Sequence, residues 1–256
     1  MRIIPVPCLK DNYAYLVVCE QTGAAGVVDP SEYEPVAAAA QKAGLKLEAI
    51  LNTHHHWDHV GGNKDLVRTI PGMRVYGHKS DQGRIEGQNQ SLEMGQSFTL
   101  GKTVIRVLHN PGHTLGAVTY VADGCAFTGD TLFGAGCGRV FEGTMDMMHH
   151  SLMDVIGALP DDTKVYFGHE YTENNLRFTL AVDPRNAAAQ ARQEETKRLR
   201  AQGRFTTPTT MGLERQTNPF LRCAETALRE SARKAGASSD SPSAVFGAIR
   251  ALKDKF

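Results

Sequence analysis

Thr53-His54-His55-His56-Trp57-Asp58-His59 holds five residues that can bind a metal; it follows the apolar run Leu47 to Leu51 and precedes Gly61-Gly62. After a strand-like segment, alternation sends the side chains of His54 and His56 to one side. A tight turn then lets Asp58 and His59 face a second point. One strand exit can therefore supply two ligands to each of two metal ions. The order His54-x-His56-x-Asp58-His59 points to a metal centre rather than to an accidental surface cluster. His55 alternates away from this set. The two glycines are expected to let the backbone turn sharply and open a helix close to the site.

Ligand types recur where other strands should end. His113 stands in Pro111-Gly112-His113-Thr114, Asp130 in Thr128-Gly129-Asp130-Thr131, and His169 follows Gly168. His54, His56 and His113 would make one set, and Asp58, His59 and His169 a second. Asp130, with two oxygens, could bridge them, since two cations roughly 3.5–4 Å apart need an anionic bridge to offset their repulsion. Asp29, before Pro30, reads first as a cap or turn residue. Its place at a strand end also makes it a candidate to orient a ligand histidine. His78 reads as a solvated loop histidine, His109 as a strand end, and His149-His150 as a helix face. The run Gly134 to Arg139 lacks the spacing and the terminal Lys-Ser or Lys-Thr of a phosphate loop.

The elements that must position these residues follow from pattern. Arg2 to Val6, Tyr13 to Cys19 and Ala25 to Asp29 read as a strand meander, and Glu34 to Ala43 as an alanine-rich helix closed by Gly44. A helix is expected at Lys64 to Ile70, a strand at Arg74 to Tyr76, and a polar loop at Gly77 to Gln90. Further strands are expected at Phe98 to Leu100, Thr103 to Leu108, Ala117 to Val121, Cys125 to Thr128 and Thr163 to Phe167, with a helix at Met145 to Leu159. After Tyr171 strand signals largely stop. Glu173 to Leu180, Arg185 to Gln202, Ala224 to Lys234 and Ser243 to Lys255 read as helices, joined in part by the turn-rich stretch Gly203 to Thr217. We place a domain boundary near 173, with 1–173 carrying the ligand types and 174–256 helical. The class is α/β, of the α+β kind.

Composition limits the function. The 256 residues can bury a large core, and 28 basic against 28 acidic side chains leave no net charge to attract a polyanion. Nucleic acid is therefore a poor partner. The five cysteines are scattered, with no C-x-x-C pair, which suits reduced thiols. The first residues carry no apolar stretch of signal-peptide length, and no stretch approaches a membrane span. A soluble, cytoplasmic protein is expected.

The motif set around His54, His56, Asp58, His59, His113, Asp130 and His169 resembles the metallo-β-lactamase superfamily over the first two thirds of the chain. More narrowly, the Thr53–His59 run, Gly136-Cys137-Gly138-Arg139, Phe141-Glu142-Gly143-Thr144, His169-Glu170-Tyr171-Thr172 and Arg250-x-x-Lys253-Asp254 resemble the glyoxalase II family of hydroxyacylglutathione hydrolases. That resemblance covers nearly the whole chain. It implies an αββα sandwich with a C-terminal α-helical domain that binds substrate. It also implies a binuclear centre, with zinc first and iron or manganese as alternatives, and Asp58 and Asp130 as the carboxylates of catalysis. The implied reaction is hydrolysis of S-D-lactoylglutathione to D-lactate and glutathione in methylglyoxal detoxification. A metal-bridging hydroxide would attack the thioester, and the thiolate could leave with little or no protonation. Substrate contacts are implied at Arg139, Phe141, Tyr171, Arg250 and Lys253. Phe141 stands where some members carry a tyrosine, so a hydroxyl contact is absent there. Arg250 and Lys253 are expected together on one flank of the last helix. A small-molecule partner and a monomer are expected.

Two other classes compete. A mononuclear iron persulfide dioxygenase-like oxygenase on the same fold would use only His54, His113 and Asp130. A nucleic-acid-processing member would need a basic groove or clamp that this neutral chain lacks.

Overall fold

The structure, a computed structural model, describes residues 1–256. The chain divides into two compact units: Met1–His109 with Gly116–Gly129, and Asn110–Leu115 with Asp130–Phe256.

The first unit opens with β1 (Arg2–Cys8), β2 (Asn12–Val18) and β3 (Ala25–Val28), antiparallel neighbours as their short turns require. α1 (Tyr33–Lys42) then crosses to β4 (Leu47–Leu51), which pairs with β3 in parallel. α2 (Trp57–Val60) and α3 (Asn63–Thr69) lead to β5 (Arg74–His78), parallel to β4, and β6 (Gln90–Leu92) closes the sheet beside β5. Val36 and Leu66 are buried in one core cluster with Val27, Ile50 and Val75. Each such side chain contributes about 1.5–3 kcal/mol. A second, antiparallel set follows: β7 (Ser97–Leu100), β8 (Thr103–His109), β9 (Val118–Ala122) and β10 (Cys125–Gly129). Aromatic rings join the two sets, with Phe98 stacked on Tyr76 at 3.9 Å and Tyr15 tilted on Phe127 at 5.7 Å.

Two expectations change in this unit. β5 runs two residues further than its pattern suggests because β6, which begins where the expected polar loop ends, pairs with it and puts His78 opposite Leu92. His78 is therefore buried rather than solvated, and its ring stacks on His109 at 4.0 Å and 3°. Gly61 and Gly62 have helical φ values of −58° and −82°, so they do not supply an unusual turn. They allow close approach instead: a Cβ would lie 2.5 Å from the Ser31 carbonyl oxygen at Gly61 and 2.8 Å from that of Pro30 at Gly62.

The second unit holds the hairpin β11 (Leu132–Phe133) and β12 (Gly136–Cys137), formed inside the glycine-rich run. α4 (Met145–His150) continues through a π turn over Ser151–Val155 and a 3₁₀ turn over Ile156–Ala158, so the expected single helix changes pitch twice. β13 (Lys164–Phe167) is followed by α5 (Thr172–Val182) and α6 (Ala187–Ala201). The turn-rich stretch contains β14 (Thr209–Thr210), paired with β13, and α7 (Met211–Thr217). α8 (Thr226–Lys234) and α9 (Pro242–Lys255) end the chain. Phe220 packs its ring against Phe178 and Phe246 within the helical core. No helix is long and apolar enough to cross a membrane.

Candidate active site

In the first unit the ligand types hang from the end of β4. Asp29, at φ +46° just beyond β3, accepts the Thr53 backbone N–H at 2.7 Å and the Thr53 hydroxyl at 2.6 Å. Its Oδ2 also lies 3.0 Å from His59 Nδ1. Asp29 is thus the orienting carboxylate rather than a mere cap. With Nδ1 donating to it, His59 presents the lone pair of Nε2, which lies 3.8 Å from Asp58 Oδ2. Asn12 donates from Nδ2 to Asp58 Oδ2 at 3.1 Å, fixing that carboxylate. His54 Nε2 approaches His56 Nδ1 to 3.1 Å, and two imidazoles that close share a proton or a cation. Ligand atoms of Asp29, His54 and His59 lie within 4.8 Å of one another. His55 points elsewhere, with Nδ1 3.1 Å from the buried Asp81 and Nε2 2.5 Å from Arg84, as its alternation required.

In the second unit Asp130 is the meeting point. Its Oδ2 lies 3.6 Å from His113 Nε2 and 3.3 Å from His169 Nε2. His113 Nδ1 donates to the Arg139 carbonyl at 2.8 Å, which again makes Nε2 the nitrogen that carries the lone pair. His169 stacks on Tyr171 at 4.7 Å and 5°. The donor set is nitrogen and oxygen with no thiolate, and orienting partners hold the rear nitrogens of His59 and His113. That arrangement fits a divalent metal ion.

A cavity of about 420 Å³ opens beside His113 and Asp130, and Arg139, Phe141, Tyr171, Arg250 and Lys253 all line it. Phe141 is 61% exposed and sets its ring edge-on to His113 at 5.4 Å. Arg250 differs from a solvent-facing flank residue: it is buried. Its Nη1 donates to the Cys137 carbonyl at 2.8 Å and its Nη2 to Asp254 at 3.2 Å. Asp254 also faces Arg139 Nε at 3.5 Å, tying both guanidinium groups to the cavity wall. Lys253 Nζ is buried without a hydrogen-bond partner, near the Phe178 and Phe256 rings at 5.2 Å each. Burial, with Arg250 adding to it, pulls its pKa down to about 8. Cys137 is buried and its thiol is pushed up to about 11, so it is no nucleophile. Asn12, which holds Asp58, and Phe133 and Asn175, which line the cavity, carry no local mark in the sequence, because their places arise from contacts far along the chain.

The pattern of the Metallo-beta-lactamase superfamily matches residues 10–169, and that described as Hydroxyacylglutathione hydrolase C-terminus matches residues 170–256. A hydroxyacylglutathione hydrolase of Gloeobacter violaceus is 48% identical over 258 residues, covering all of both chains. The cytoplasmic hydroxyacylglutathione hydrolase of Arabidopsis thaliana is 42% identical over 263 residues, all of this chain and 99% of that one. Among solved structures, TTHA1623 in a di-iron-bound form shares 28% identity and a TM-score of 0.61 over 86% of this chain and 100% of that one. The fold is that of the metallo-β-lactamases, with a helical C-terminal region. Histidines and carboxylates clustered at strand ends, a cationic cavity and full-length similarity agree, and the chain belongs to the hydroxyacylglutathione hydrolase family of the metallo-β-lactamase superfamily.

Proposed function

We infer that this chain hydrolyses S-D-lactoylglutathione and related S-2-hydroxyacylglutathiones, adding water across the C–S bond to release D-lactate and glutathione. The observation that carries this reading is one cavity lined by both metal-ligand types, His113 and Asp130, and cationic groups, Arg139 and Lys253. His54, His56 and His113 would hold one divalent ion, Asp58, His59 and His169 a second, with Asp130 shared; zinc is the first choice. Such ions, when bound, supply an activated water and a Lewis acid for the thioester carbonyl. The chain's own residues do the rest. Asp29 and the Arg139 carbonyl fix the tautomers of His59 and His113, and Asn12 holds Asp58 in place. Arg139 and Lys253 offer positive charge to the substrate carboxylates, while Tyr171 and Phe141 present ring faces and edges to the rest of it. No residue is needed to protonate the leaving thiolate, whose thiol pKa is about 8.5.

Residues 1–173 act as the catalytic domain and 174–256 as the substrate-binding domain, a division supported by the family matches that meet at 169 and 170. The protein works as a cytoplasmic monomer on a small molecule, without nucleic acid or membrane. The match of the C-terminal third to the hydrolase family favours this over an oxygenase that uses one iron. Metal analysis beside a thioester assay tests the reading. His113→Ala and Asp130→Ala should each lose metal and at least about a hundredfold in kcat. Full activity in protein stripped to one metal or none would overturn the two-ion scheme.

A further inference from the structure

Side chains from the helical stretch grip the backbone where β11 turns into β12. Asn175 Nδ2 donates to the Gly134 carbonyl at 3.1 Å, Asn218 Nδ2 to that of Gly136 at 2.9 Å, and Arg250 Nη1 to that of Cys137 at 2.8 Å. One bond runs the other way: the Ala135 N–H donates to Glu214 Oε2 at 2.8 Å. Ala135 is fully buried at φ +53°, the one non-glycine residue of the second unit in the left-handed region. That region is costly for a residue with a Cβ unless its surroundings impose it. Glu214 is itself fully buried. Its Oε1 accepts from Arg192 Nη2 at 2.6 Å, and Arg192 is anchored in turn on the hydroxyls of Thr217 and Thr209.

A buried ion pair can be simple glue between α6 and α7, and many are weak contributors to stability. Glue does not require that the second carboxylate oxygen be aimed at the N–H of a strained residue in a different element. Two residues beyond Ala135 the chain reaches Cys137, Gly138 and Arg139, which line the cavity. Little slack is allowed there, since a Cβ on Gly138 would lie 2.9 Å from His113 Nδ1.

We propose that Glu214 is a positioning residue for substrate: its carboxylate, fixed by Arg192, holds Ala135 in the left-handed conformation and so places the Cys137–Arg139 wall of the cavity. The proposal rests on the reading of that cavity as the glutathione thioester site. Glu214→Gln leaves one acceptor oxygen where two were used: Oε1 accepts from Arg192 and Oε2 from both Ala135 and Asn218 Nδ2, the latter at 2.9 Å, so the new NH2 must face one of these donors. The substitution should raise KM for S-D-lactoylglutathione about tenfold, with kcat moving less. Glycine adopts the left-handed region without a Cβ penalty. Ala135→Gly alone should therefore leave KM within about twofold, and in the Glu214→Gln background it should restore most of the loss.

A role confined to packing against Arg192 predicts no such rescue, so failure of Ala135→Gly to restore KM overturns the proposal. Arg139→Ala separates the two levels. Normal KM in Glu214→Gln beside a raised KM in Arg139→Ala sinks the positioning role alone. Normal KM in both removes the cavity reading and the proposal with it. Should Arg192, left without its partner, prevent Glu214→Gln from folding, the neutral pair Arg192→Gln/Glu214→Gln carries the same kinetic test and the same rescue.

Discussion

At Lys253, burial tunes the charge that the proposed function assigns to substrate binding. Its ammonium stands at the cavity wall among aromatic rings, without a hydrogen-bond partner from the chain. Because burial has lowered its pKa to about 8, the charge is present at neutral pH and is lost as pH rises through that value. KM for an anionic glutathione thioester should therefore climb above about pH 8. Lys253→Met should raise KM roughly ten- to a hundredfold at pH 7 and flatten the alkaline rise, because a charge-assisted hydrogen bond contributes about 1.5–3 kcal/mol. A pH series of steady-state constants for the two proteins reads this directly; an alkaline rise that persists in the variant would assign it to another group. Arg250 is the poorer probe, since its Nη1 and Nη2 already hold Cys137 and Asp254 and their loss would loosen α9.

Among the elements, the short passage from α2 to α3 decides whether the ligand run is presented correctly. Gly61 and Gly62 press against the backbone of Pro30 to Tyr33, and the Gly62 N–H donates to the Pro30 carbonyl at 2.8 Å. Asp29, one residue before, is the group that orients His59. A methyl at 62 must push these two segments apart. Gly62→Ala should lower stability by about 1–3 kcal/mol, although alanine is the better helix former, and should weaken metal binding as Asp29 shifts. Thermal unfolding and metal content of the variant test both effects; an alanine that stabilises would show that the segments can separate freely.

For the molecule as a whole, acid stability has an identifiable contributor in the His78–His109 stack. Burial, then the neighbouring His109 charge and Lys79, outweigh the pull of Asp81 and Glu93 and lower the His78 pKa from 6.5 to about 4. The unfolded chain takes up this proton near pH 6.5 and the folded chain only near pH 4. Stability present above pH 6.5 is consequently lost as pH falls through that interval, by up to about 3 kcal/mol. His78→Gln should show a shallower fall between pH 6.5 and 4 in urea unfolding. An unchanged slope would place the proton uptake on other groups.

Much of the candidate site is legible in the chain because its ligand types lie at strand ends, where period-two alternation, a glycine and a ligand type are all local signals. His54, His56, Asp58 and His59 fall within six consecutive residues, and His113, Asp130 and His169 each follow a glycine. The meander β1–β3 and the long helices α5, α6, α8 and α9 follow likewise from patterns that fit within one element. Long-range pairing decided the rest. β6 exists because β5 offers it an edge, and that pairing buries His78 in what reads as a polar loop. The hairpin β11–β12 is held by Asn175, Glu214, Asn218 and Arg250, none of which is near it in sequence. Gly61 and Gly62 carry no conformational signature, since their need for a missing Cβ comes from Pro30 and Ser31 pressing on them. A glycine in a turn is visible in a string of letters, whereas a glycine required by a neighbour is visible only when that neighbour arrives.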